Sequence, residues 1–77
     1  MGEGDHLRWR CRRGLLELDL ILQRFIERRL DGLDAGERAL FDELLDFPDP
    51  DLLDWALGRC EPADPRYSGV VQLLRAV

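Results

Sequence analysis

The sequence predicts an all-α protein, a compact five-helix bundle in a single domain. Apolar residues recur at spacings of three and four, the signature of helices with one buried side. Proline and aspartate punctuation divides the chain into helix-length pieces. Only one short stretch alternates like a strand, and a lone strand has nothing to pair with. The length of 77 residues suits one domain with a thin core. The expected helices cover about 5–13, 15–30, 35–46, 50–59 and 65–76.

The first segment carries the alternation, with Leu7, Trp9 and Cys11 between arginines. It is read as a short helix because no second strand candidate follows. Gly14 then acts as a joint, lacking the β-carbon that restricts sharp changes of direction. In the second and longest helix, Leu15, Leu18, Ile21, Leu22, Phe25, Ile26, Leu30 and Leu33 share one broad side. Glu17, Arg24 and Arg28 gather opposite. Asp19 falls beside the apolar face, where an arginine partner or a helix end would satisfy it.

Asp34 with Glu37 forms a capping-box pattern that opens the third helix, which buries Leu40, Phe41, Leu44 and Leu45. Phe47-Pro48-Asp49-Pro50 ends it, since proline cannot continue the backbone bonding. Asp49 is the expected cap of the fourth helix, with Pro50 at its first position and Leu53, Ala56, Leu57 and Cys60 as its stripe. The Asp64-Pro65 pair repeats this opening before a last helix that presents Tyr67, Val70, Val71, Leu74 and Val77.

Composition narrows the function classes. The chain is 45% hydrophobic and 35% charged with net charge −5, a folded globular balance that argues against general nucleic-acid binding. All eleven basic residues are arginine. Arg8, Arg10, Arg12 and Arg13 cluster near the start, and the stretch from Asp31 to Asp64 is strongly acidic, so the charge is bipolar. The acidic start Met-Gly-Glu-Gly-Asp lacks an apolar run, and Glu17 and Asp19 interrupt the apolar segment after Gly14. A cytoplasmic protein without membrane insertion, and reduced rather than bridged Cys11 and Cys60, are the expectations.

No catalytic constellation is visible, so the chain is expected not to be an enzyme. Glu17 and Asp19 point about 200° apart on a helix and make no acid–base dyad. His6, Cys11 and Cys60 make no convincing zinc set. No glycine-rich fingerprint follows a strand, and Phe41, Phe47 and Trp55 read as core or core-rim packing. If the helix persists through Gly14, Arg13 and Glu17 lie one turn apart. They then form either an ordinary exposed ion pair or, with Gly14 allowing close backbone approach, a binding patch. Trp9 and Arg8 nearby are common interface anchor types.

The run Trp9-Arg10-Cys11-Arg12-Arg13-Gly14-Leu15-Leu16-Glu17-Leu18-Asp19 resembles the Arg-Gly-x-x-Glu signature of the SdhE family, also called succinate dehydrogenase assembly factor 2. Asp49-Pro50-Asp51-Leu52-Leu53-Asp54-Trp55 is similar to a second family element, and Pro62-Ala63-Asp64 to the connection that follows. The resemblance implies a five-helix chaperone-like factor that binds the flavoprotein subunit of succinate dehydrogenase, often also of fumarate reductase. It implies that the factor promotes covalent FAD attachment to a histidine there, the FAD belonging to the partner. Trp9, Arg12, Arg13, Gly14, Glu17 and Asp19 are the candidate partner-binding residues on a chain expected to be monomeric when free. The competing expectation is an antitoxin or regulatory module that binds through its acidic middle and end.

Overall fold

The computed structural model describes residues 3–77, with side chains from His6 onward. Among the described residues there are five α-helices and no strand: α1 (Glu3–Arg10), α2 (Leu16–Arg29), α3 (Ala35–Leu44), α4 (Asp49–Ala56) and α5 (Ser68–Arg75). Short 3-10 turns at Leu30–Gly32 and Pro65–Tyr67 close α2 and lead into α5. The all-α, five-helix class expected from the sequence is the observed one.

α2 is the central element. It buries Leu18, Leu22, Phe25 and Ile26 against α3, α4 and α5. Phe41 of α3 meets Phe25 with ring centroids 4.7 Å apart. Val70, Val71 and Leu74 supply the α5 side of the core, and Leu7 and Cys11 bring in the α1 segment. Phe47 stands edge-on to both Trp55 and Tyr67, at 5.0 and 5.6 Å between centroids. The three rings close the corner between α3 and α4. Burying aromatic rings edge to face adds directional packing to the area they remove from water.

The helix ends differ from the expected bounds for local reasons. α1 stops at Arg10: Cys11 N–H shares its bond between the Leu7 and Arg8 carbonyls, and Arg12 N–H then donates to Trp9 O in the tighter i−3 pattern as the chain turns. The capping box of α3 is present: Glu37 N–H donates to Asp34 Oδ1 at 2.7 Å, and Asp34 N–H to Glu37 Oε1 at 3.1 Å. Asp64 likewise accepts from Arg66 N–H at 2.9 Å, as its Asp-Pro context predicts.

Asp49 does not cap α4. Pro48 occupies that position and Asp49 is already helical, its carboxylate turned elsewhere. Because α4 ends at Ala56, followed by Gly58 at φ 78°, its stripe also differs from expectation. Leu52, Trp55 and Ala56 are buried, whereas Leu57 and Cys60 are exposed. Leu15, placed on the core side by the wheel, lies before the first turn of α2 and is 38% exposed.

Candidate partner-binding site

The signature residues occupy the turn between α1 and α2. Gly14 sits at φ 85°, a conformation that costs residues with a β-carbon about 1–2 kcal/mol. The turn is held from both sides by side chains. Asp19, one turn into α2, reaches back so that Oδ1 accepts from Arg13 N–H at 2.8 Å and Oδ2 from Gly14 N–H at 3.2 Å. The half-buried Asp19 next to an apolar face thus finds its partners in the backbone of the preceding turn. Among the described residues it has no bond to an arginine side chain.

Arg13 secures the other side. Its side chain, only 17% exposed, runs inward to the α3–α4 corner. Nε donates to Asp49 Oδ1 at 2.7 Å and Nη2 to Phe47 O at 3.0 Å. Nη1 donates to Leu45 O at 2.7 Å and to Arg10 O at 3.3 Å. The planar guanidinium suits this set, since one group satisfies several helix-end carbonyls and a carboxylate together. Of the two readings open for Arg13 and Glu17, the ion pair that an unbroken helix would allow is not formed. The helix is broken between them, and Arg13 is committed to acceptors far along the chain.

Arg10 adds a second clasp, donating to the carboxylates of Asp42 and Asp46 and to Asp42 O at 2.9 Å. Cys11 is buried between these arginines, 1% exposed. Burial pushes its thiol pKa up to about 12, with Arg13 and Arg10 opposing the rise, so it packs as a neutral apolar group.

What remains outward defines the surface. Glu17 is exposed and has no bonded partner among the described residues. Arg12 and Gly14 are also exposed, and Trp9 is 71% exposed. Two apolar residues not singled out from the sequence join them: Leu16 at 74% and Leu20 at 45% exposure. They lie one turn apart beside Glu17. Their signal was available, because both leucines sit off the apolar stripe of the α2 wheel. Trp9, Leu16 and Leu20 are large apolar side chains left exposed, and exposed apolar area of this kind, where it is continuous, marks interaction surfaces. The sequence marks Asp49 as a helix cap and Arg10 as one of a basic cluster, whereas their roles here depend on contacts more than thirty residues away.

The two signature elements therefore meet in space, through the Arg13–Asp49 bond. Residues 5–77 match the model of a family described as the flavinator of succinate dehydrogenase. The chain belongs to this family, the SdhE family. It is 42% identical over 69 residues to the FAD assembly factor SdhE of Coxiella burnetii, covering 90% of this chain and 84% of that one. It is 48% identical over 60 residues to the SdhE of Legionella pneumophila strain Lens, covering 78% and 76%. A third relative, SdhE of Photobacterium profundum, is 40% identical over 74 residues, covering 96% and 84%. In this SdhE-family chain no described helix is long and apolar enough to cross a membrane.

Proposed function

We propose that this protein is a non-catalytic assembly factor that binds the flavoprotein subunit of succinate dehydrogenase, or of fumarate reductase, and promotes its covalent FAD attachment. One observation carries the reading: the signature turn is held rigidly from within by Arg13 and Asp19, while Trp9, Gly14, Leu16, Glu17 and Leu20 face outward. A preorganised turn presenting apolar anchors and one carboxylate suits docking, because little freedom is lost on binding.

Flavinylation joins a partner histidine to a flavin methyl carbon, and its rate depends on holding those atoms in a near-attack arrangement. A helper achieves this by bracing the partner fold, with no proton transfer of its own. The FAD stays with the partner in this scheme, and the factor works as a cytoplasmic monomer without nucleic acid.

The test is in-gel flavin fluorescence of the denatured flavoprotein subunit from cells with and without this chain. The signal should fall without it and return with wild type but not with Glu17→Ala. An unchanged signal in its absence would refute the assembly role.

A further inference from the structure

Arg10, Arg13, Arg59, Arg66 and Arg75 each pair with a carboxylate of the same chain. Arg24, Arg28 and Arg29 have no bonded partner among the described residues, and neither do Arg8 and Arg12, although the chain carries net charge −5 and more acids than bases. Arg8 and Arg12 line one open cleft of about 230 Å³ between the end of α1 and the middle of α2. Buried Cys11 and Ile26 form its floor, and Gln23 and Glu27, one turn apart, form the facing wall.

We propose that this cleft receives an acidic side chain, with its adjoining backbone, from the protein partner. The inference rests on the binding role proposed above and adds the chemistry of what is bound. Two guanidiniums on one wall offer paired donors matched to a carboxylate. Gln23 and Glu27 opposite can accept backbone N–H groups beside that carboxylate, and the apolar floor accommodates its methylene stem.

Size and charge select this occupant over a phosphate-bearing one. The space holds one or two side chains and falls short of the volume of a typical small-molecule pocket. Glu27 in the wall and the net negative charge oppose the double charge of a phosphate group more than the single charge of one carboxylate. Cleft and signature turn are contiguous through Arg12 and Arg13, so one partner surface spans both.

The experiment measures binding of the full chain to the purified flavoprotein subunit at low and high salt. Arg8→Gln with Arg12→Gln is compared with Arg28→Gln with Arg29→Gln, which removes the same charge from the end of α2. The cleft variant should bind roughly tenfold more weakly at low salt, with a shallower salt dependence. The control should stay within about twofold. Titration of the wild-type chain with hexaglutamate should shift the arginine Nε–Hε signals of Arg8 and Arg12, and inorganic phosphate at equal concentration should not.

Wild type that binds the flavoprotein while both double variants match it would overturn this inference alone. Wild type that fails to bind would overturn the assembly function and the inference with it. Stronger shifts with phosphate than with hexaglutamate would overturn the carboxylate assignment. Unchanged circular dichroism of the cleft variant keeps a binding loss from being read as unfolding.

Discussion

Replacing Arg13 by Ala should destabilise the protein by about 2–4 kcal/mol, whereas Glu17→Ala should change stability by less than about 0.5 kcal/mol. Arg13 donates one charge-assisted bond to Asp49 and bonds to the carbonyls of Leu45, Phe47 and Arg10. Hydrogen bonds from charged donors contribute about 1.5–3 kcal/mol each when well formed. The corner is only part-buried, so water can replace some of the lost donors, and the sum falls well below four times that value. A domain of this length has roughly 4–11 kcal/mol of total stability, so the loss is a large fraction of it. Arg13→Lys keeps the charge but not the planar fork, and should lose about 1–2 kcal/mol. The assay is urea denaturation followed at 222 nm, with thermal melts as a check. Each kcal/mol should lower Tm by about 4–8 °C in a domain of this size. Equal stabilities of Arg13→Ala and wild type would refute the internal role of this arginine. So would an effect of Glu17→Ala as large as that of Arg13→Ala.

Other consequences follow from the same geometry. Gly14→Ala and Gly14→Arg should each lose about 1–2 kcal/mol, because the positive φ penalises both and no atom lies within 4 Å of an added Cβ. Binding to the flavoprotein should fall much further for Arg, and a free Gly14→Arg chain far less stable than Gly14→Ala would contradict the open turn. At pH 8, iodoacetamide should label exposed Cys60 readily and Cys11 only on unfolding, since a thiol at about pKa 12 is roughly one part in ten thousand thiolate at that pH. Equal labelling rates in the folded protein would argue against the burial of Cys11. The side-chain bond from Arg75 holds the Glu61 carboxyl below its usual pKa, and the backbone and side-chain bonds from Arg66 do the same for Asp64. Carboxyls with depressed folded pKa values stabilise the fold above their unfolded values and lose that contribution as pH falls through the folded ones. Tm should therefore fall below about pH 4, and Glu61→Gln with Asp64→Asn should flatten that acid limb. An identical acid slope in the double variant would rule these two groups out as contributors.

Local signals in the chain were enough for the class of fold and the place of its joints. The Asp34–Glu37 box and the Asp64-Pro65 opening act over two or three residues, so their outcome is written in neighbouring side chains. The broad apolar stripe of α2 likewise reports burial directly, and Leu18, Leu22, Phe25 and Ile26 are where its period puts them. Leu57 and Cys60 escaped the same reasoning because the helical period was carried beyond the point where α4 ends. Periodicity states which side is apolar but not where the chain leaves the helix.

The sequence by itself determined that the chain is helical, how it is divided, and which family signature lies between its first two helices. Only the tertiary structure decided what each signature residue does there. Arg13 and Glu17 look equivalent in sequence, a charged pair flanking a glycine. Yet Arg13 turns inward, because unsatisfied carbonyls at Leu45 and Phe47 and the Asp49 carboxylate converge within its reach. Glu17 stays outward because nothing within the described fold offers it a donor. Asp49, expected to cap its own helix, serves Arg13 across 36 residues of chain. A guanidinium or a carboxylate goes to whichever complementary groups folding brings within about 3 Å, and for these residues those groups are distant in sequence.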